Sequence, residues 1–84
     1  MKKIEIYTKN YCAYSHRAKG LLGARKAEFI EYDLTADPSR TQEMCERSGR
    51  TTVPEIFVDD QLIGGCDDLF ALDAAGKLAE TLGL

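Results

Sequence analysis

The spacing of hydrophobic residues in the first part of the chain predicts a strand, a helix and a second strand. Residues 3–7 alternate between polar and apolar side chains, with Ile4 and Ile6 on one face of a strand. Apolar residues then recur at helical spacing over residues 13–24, and residues 28–33 again have the pattern of a strand. A strand, a helix and a strand over about 30 residues form a βαβ unit, whose two strands are parallel.

A second helix and a hairpin are predicted from the middle of the chain. Asp37 is a candidate N-cap, with Pro38 at the first position of a helix that runs to about Ser48. Four residues share one face of this helix, so Cys45 is predicted in the core: Thr41, Met44, Cys45 and Ser48. Residues 55–58 read as a strand, residues 59–60 as a turn and residues 61–63 as its hairpin partner.

The last part of the chain predicts a helix that runs to the C-terminus. Asp67 and Asp68 lie in its first turn, where the helix dipole favours negative charge. Leucines at helical spacing continue to Leu82, with an interruption expected at Gly76. We therefore predict one α/β domain over residues 1–84, with a four-stranded mixed sheet flanked by helices.

Cys12 is the strongest candidate for chemistry because it lies between the first strand and the first helix. Free N–H groups and the positive end of a helix dipole favour a thiolate there and lower its pKa. The alternative is that Cys12 is a small buried hydrophobic residue with no chemical role. Ser15 stands where a C-x-x-C motif would have its second cysteine, and a surface position on the helix is an equally good interpretation of this serine.

Composition and charge exclude several classes of protein. The chain is 44% hydrophobic and 30% charged, which is typical of a soluble globular domain. Its net charge of -3 argues against a nucleic-acid partner. No apolar run approaches the roughly 20 residues that cross a bilayer, and no apolar leader follows the first residues. We expect a monomer in the cytoplasm, with no membrane partner.

The three cysteines are expected to be free thiols rather than parts of a disulfide framework. Their number is odd, and a reducing compartment keeps thiols reduced. No two of them have the C-x-x-C spacing that is typical of zinc sites. We therefore expect no protein-only metal site.

Four motifs in order along the chain resemble those of the glutaredoxins, the glutathione-dependent branch of the thioredoxin fold. The resemblance covers essentially the whole chain, and within the family the sequence resembles the small bacterial type. The motifs are Ile6-Tyr7-Thr8-Lys9, Cys12-Ala13-Tyr14-Ser15 with the four residues that follow, Arg50-Thr51-Thr52-Val53-Pro54, and Gly64-Gly65-Cys66-Asp67-Asp68-Leu69.

The resemblance implies glutathione as co-substrate and assigns a role to each matched position. Cys12 resembles the nucleophile, with Lys9 near the thiolate and the glycine carboxylate of glutathione and Tyr14 beside the sulfur. The segment Thr52-Val53-Pro54 is similar to the family's cis-proline segment, which pairs with the glutathione backbone as an added strand would. The segment Gly65-Cys66-Asp67 is similar to the part that holds the γ-glutamyl group.

Three departures from the family pattern bear on function. Ala13 replaces a proline, and Thr41 replaces a residue that holds the glycine carboxylate, which leaves neighbouring Arg40 as a substitute. Ser15 replaces the second cysteine, as either a native residue or an engineered change that traps an adduct. The resemblance then implies a monothiol mechanism on glutathionylated proteins or small mixed disulfides.

Two alternatives from other classes remain open. Some single-thiol relatives carry a [2Fe–2S] cluster ligated by the cysteine and glutathione of two subunits. Tyr14 argues against that function, because those relatives have Gly-Phe between the cysteine and the serine. The chain could also be a non-catalytic docking module, in which Cys12 would have an ordinary thiol pKa.

Overall fold

A four-stranded mixed sheet forms the centre of the protein in the computed structural model, which describes residues 1–84. The strands are β1 (Ile4–Thr8), β2 (Ile30–Asp33), β3 (Glu55–Val58) and β4 (Gln61–Gly64), in the order β2-β1-β3-β4. Strand β2 is parallel to β1, whereas β3 is antiparallel to both β1 and β4. The predicted mixed sheet of four strands is confirmed.

Four helices cover the sheet: α1 (Ala13–Ala24), α2 (Thr41–Ser48), α3 (Cys66–Ala74) and α4 (Leu78–Leu82). Gly76 has a φ of 72° between α3 and α4, so the expected interruption of the C-terminal helix is confirmed. A residue with a side chain rarely adopts this left-handed conformation.

The side chains of β1 and β3 point alternately to two clusters of buried residues, as strand geometry requires. Ile4 and Ile6 join the larger cluster with residues from α1, α3 and α4, among them Leu22 and Leu69. Tyr7 joins the smaller cluster, which also contains Leu34, Met44 of α2 and Phe57. Because all five residues of β1 are buried, this strand is the centre of the fold.

Three local predictions differ from the structure. The side chain of Asp37 makes no capping bond, because residues 38–40 form a turn of 3₁₀ helix before α2 and the Asp37 carboxylate accepts a hydrogen bond from the Ser39 hydroxyl. On α2 only Met44 is fully buried, and Cys45 is partly exposed at the margin of the smaller cluster. Strand β2 begins two residues later than predicted, at Ile30, because residues 27–29 still belong to the connection from α1.

Candidate active site

Cys12 is the N-cap residue of α1. Its backbone is extended, its N–H donates to the Lys9 carbonyl at 3.1 Å, and its own carbonyl accepts the His16 N–H at 3.2 Å. No side chain caps the helix, so the N–H groups of the first turn remain available to the sulfur. The thiol is partly exposed and can therefore reach a partner.

The surroundings of Cys12 favour the thiolate. Burial raises the pKa of Cys12, but hydrogen bonds from the Ser15 hydroxyl and from the N–H groups of Ser15 and Tyr14 outweigh it, with help from the positive charge of Lys9. The net effect lowers the pKa of Cys12 below that of an ordinary thiol. A lowered pKa favours a reactive Cys12 over an inert hydrophobic residue and over the ordinary thiol expected of a docking module.

Ser15 is completely buried, so the alternative of a surface position on the helix is wrong. Its oxygen accepts the Lys9 N–H at 3.4 Å, which leaves the hydroxyl proton free to point at the sulfur. Ser15 therefore stabilises the thiolate as a hydrogen-bond donor. A hydroxyl cannot supply the second sulfur of a disulfide.

The Val53–Pro54 peptide bond is cis, as the resemblance to the cis-proline segment implies. The Cys12 thiol donates to the Val53 carbonyl oxygen, 3.7 Å from the sulfur. Val53 forms no backbone–backbone hydrogen bond of its own, since it lies outside the strands. An extended peptide could therefore pair with this residue beside the sulfur.

An open groove of about 180 Å³ begins beside Tyr14 and runs between the Pro54 segment and the start of α3. The first hydrogen bond of α3 runs from the Leu69 N–H to the Gly65 carbonyl, so the N–H groups of Cys66 and Asp67 have no helical partner. They lie where an anionic group would be bound. The groove contains all of the predicted glutathione-binding residues except Lys9: Tyr14, Thr52, Val53, Pro54, Gly65, Cys66 and Asp67.

Two positively charged side chains lie near the groove and Cys12: Lys9, whose charge acts on the Cys12 thiol, and Arg17, whose charge acts on Cys66. The Lys9 ammonium lies 5.9 Å from the centre of the Tyr11 ring, outside the groove. The Arg17 guanidinium lies 5.9 Å from the Tyr14 ring and 5.3 Å from the Phe70 ring. Tyr14 is about half exposed.

Arg40 and Thr41, which the family pattern relates to the glycine carboxylate beside Lys9, do not line the groove. The Arg40 guanidinium lies 4.2 Å from the Tyr32 ring and forms an ion pair with Glu43 at 3.0 Å. To reach a ligand it would have to give up these partners.

The other two cysteines are not placed for catalysis. Cys66 is buried, and burial raises the pKa of its thiol. Both Cys66 and Cys45 are free. No group of three or more His, Cys, Asp or Glu side chains is placed to hold a metal ion.

Three charged residues of the groove were not among the predicted site residues: Arg50, Glu55 and Asp68. Glu55 is almost completely buried, and burial raises the pKa of its carboxyl. An acidic residue at the start of an otherwise apolar strand was the one signal in the sequence that pointed to it.

The family model for glutaredoxin matches residues 4–63 of this chain. The chain belongs to the glutaredoxin family. It is therefore a glutathione-dependent oxidoreductase with a thioredoxin-like fold. The sequence-based expectation of a small bacterial glutaredoxin is confirmed by 55% identity to glutaredoxin 3 of Escherichia coli strain K12, over 93% of this chain and 94% of that protein.

Solved glutaredoxin structures have the same fold. The buckwheat glutaredoxin–glutathione complex is 27% identical, with a TM-score of 0.89 over 98% of this chain and 77% of that one. The solution structure of glutaredoxin from Brucella melitensis is 48% identical, with a TM-score of 0.82 over 100% of this chain and 94% of that one. No helix of this glutaredoxin has the length and apolar character needed to span a membrane.

Proposed function

We propose that this glutaredoxin removes glutathione from mixed disulfides by a monothiol mechanism, with Cys12 as its only redox-active sulfur. The observation that supports this proposal most directly is the partly exposed Cys12, whose pKa is lowered and whose neighbour at the second motif position is a buried hydroxyl.

The first step is attack of the Cys12 thiolate on the glutathione sulfur of a glutathionylated protein or small mixed disulfide. A bond forms between Cys12 and glutathione, the substrate disulfide breaks, and the substrate leaves as a thiolate that takes a proton from water. The lowered pKa of Cys12 increases the fraction of the attacking sulfur that is ionised near neutral pH.

The second step returns the enzyme to its starting state. The thiolate of a second glutathione attacks the glutathione sulfur of the adduct, which forms oxidised glutathione and releases the Cys12 thiolate. Glutathione supplies both electrons for the reduction of the substrate. A low pKa also makes Cys12 a good leaving group, so the same hydrogen bonds favour both steps.

Glutathione is expected to lie in the groove as an extended peptide. Its cysteinyl backbone would pair with the N–H of Val53 and with the Val53 carbonyl, which accepts the Cys12 thiol in the free protein. Its γ-glutamyl carboxylate would accept from the N–H groups of Cys66 and Asp67, and the Asp67 carboxylate would face its ammonium. This orientation presents the glutathione sulfur, rather than the substrate sulfur, to Cys12. We expect Lys9 to hold the glycine end, and the protein to act as a monomer in the cytoplasm.

Intact mass after incubation with oxidised glutathione tests the proposal. We expect one stable glutathione adduct on the wild-type chain and none on Cys12→Ser. The Ser15→Cys variant should lose much of its adduct to an internal disulfide, because the new thiol would stand beside the adduct sulfur. An unmodified wild-type chain, or an adduct that survives in Cys12→Ser, would contradict the assignment.

A further inference from the structure

The buried carboxylate of Glu55 has no part in the proposed reaction steps, although it lines the groove. Its side chain is 1% exposed. One oxygen accepts the Thr52 hydroxyl at 3.1 Å, and the other lies 3.5 Å from the Arg50 guanidinium. Burying a carboxylate is costly, and here the cost is offset by the hydroxyl and the guanidinium that pair with it.

Arg50 extends from Glu55 to the opposite side of the groove. The guanidinium nitrogen that lies near Glu55 is also 3.7 Å from an oxygen of Asp68. The same Asp68 oxygen accepts the Gly65 N–H at 2.9 Å. A continuous set of polar contacts therefore joins the segment before β3 to the first turn of α3.

The two segments joined in this way are those proposed to bind glutathione. Thr52, Val53 and Pro54 form one side, and Gly65, Cys66 and Asp67 form the other. Thr52 and Arg50 are both exposed. The Arg50 guanidinium pairs with Glu55 and, at a greater distance, with Asp68. Without the Glu55 carboxylate, only Asp68 would hold Arg50 over the groove. A groove held at fixed width before the ligand arrives binds more tightly, because less order is lost on binding.

We propose that Glu55 is a positioning residue for the γ-glutamyl end of the substrate: through Thr52 and Arg50 it holds the two sides of the groove at their binding distance. This inference rests on the proposed function, since it takes glutathione as the occupant of the groove. Glu55 does not touch the reacting sulfur, so it acts on binding and not on the exchange step.

Steady-state kinetics with the mixed disulfide of glutathione and cysteamine, with glutathione as reductant, separate binding from chemistry. We expect Glu55→Gln to raise KM for the mixed disulfide about tenfold with kcat within about twofold, which corresponds to about 1.4 kcal/mol of binding. Arg50→Gln, at an exposed position where folding is not at risk, should have the same effect. The double variant should be no worse than either single variant, because both changes break the same contact.

The control is Arg25→Gln. This variant also removes an arginine that is paired to a carboxylate, Asp73 at 2.7 Å, but the pair joins the residue after α1 to α3, and neither residue lines the groove. Its KM should equal that of the wild type. The rate of Cys12 alkylation as a function of pH should be unchanged in all of these variants, because none of them removes a donor to the sulfur.

The possible outcomes distinguish the inference from the function on which it rests. A wild-type protein that does not turn over the mixed disulfide would overturn the proposed function. A wild-type protein that turns it over, together with Glu55→Gln and Arg50→Gln variants of unchanged KM, would overturn the positioning role alone. Equal loss of kcat and of thermal stability at constant KM, or additive effects in the double variant, would also overturn it.

Discussion

At the scale of single residues, the reactivity of Cys12 depends on which groups surround one sulfur atom. Burial raises the pKa of this thiol, whereas the hydroxyl of Ser15 and two backbone N–H groups act in the opposite direction and prevail. Ser15 stands in place of the second cysteine of a dithiol motif, and its hydroxyl donates to the Cys12 sulfur and favours the thiolate. Loss of a resolving thiol and retention of a reactive one are compatible in this site.

The Ser15 hydroxyl can be tested by its removal. In Ser15→Ala the pKa of Cys12 should rise, since a hydrogen bond to the charged form is lost. At pH 6 the rate of alkylation by iodoacetamide should fall about threefold to tenfold, and the difference should shrink at high pH, where both proteins are thiolates. Ser39→Ala removes an exposed serine elsewhere and should leave the profile unchanged. Superimposable profiles for Ser15→Ala and the wild type would count against this role.

At the scale of elements, the site is built from three segment ends that the fold brings together. The start of α1 supplies the sulfur, the segment before β3 supplies Val53, whose backbone has no backbone partner, and the start of α3 supplies free N–H groups. Gly64, the last residue of β4, lets the chain turn into α3 with a φ of 125°. A Cβ at this position would lie 2.1 Å from an oxygen of Asp68, so there is no room for a side chain.

The same change at two glycines should therefore have opposite effects on stability. Gly64→Ala should lower the free energy of unfolding by about 1–3 kcal/mol, because alanine rarely adopts this backbone conformation and would displace Asp68 from the Gly65 N–H. Gly20→Ala should raise it by about 0.5–1 kcal/mol, because Gly20 lies within α1 and its Cβ would meet nothing within 4 Å. Urea unfolding of both variants measures the difference. A stabilised Gly64→Ala protein would contradict the structural account.

At the scale of the whole molecule, an ion pair ties the central strand to α2. The Glu5 carboxylate is buried. It accepts hydrogen bonds from both terminal nitrogens of Arg47, at 3.0 and 3.2 Å, and from the Tyr32 hydroxyl at 2.8 Å. The Arg47 guanidinium also lies 4.1 Å from the Phe57 ring. Hydrogen bonds from Arg47 are the main reason that the pKa of Glu5 is lowered, against the effect of burial.

This ion pair makes stability depend on pH in a defined direction. A carboxylate with a lowered pKa in the folded state stabilises the protein above its unfolded pKa, which is about 4.5 for Glu5, and this contribution is lost as the pH falls through the folded value. Arg47→Gln should therefore lower the free energy of unfolding by about 2 kcal/mol at pH 7. The loss is smaller than for a fully buried ion pair, because the Arg47 side chain is 24% exposed. Below the pKa that Glu5 has in the folded state, the difference in free energy of unfolding between variant and wild type should disappear.

Urea unfolding at several pH values measures this effect. Arg25→Gln serves as control, because its partner Asp73 forms a pair at the surface, where solvent and salt screen the charges. The control should show only a small loss of stability at pH 7. A gap for Arg47→Gln that is the same at pH 7 and pH 3 would show that the pair with Glu5 is not its cause.

The sequence by itself determined the order and type of the elements and the candidate nucleophile. These depend on local signals: the period of apolar residues, the turn residues Asp59 and Asp60, and a cysteine before a helix. Family motifs added the cis bond before Pro54 and most residues of the groove. Such features can be predicted from the sequence because each depends on a few neighbouring residues.

Only the tertiary structure decided the burial of Ser15, the partial exposure of Cys45 and the contacts that join Glu55, Arg50 and Asp68. Burial depends on which elements pack over a residue, and a strand pattern does not say which side chain a buried acid will meet. Asp68 lies thirteen or more positions from Glu55 and Arg50 in the chain, so their proximity arises when α3 packs beside the Pro54 segment. Contacts between distant segments have no local signal, because they form only when the whole chain folds.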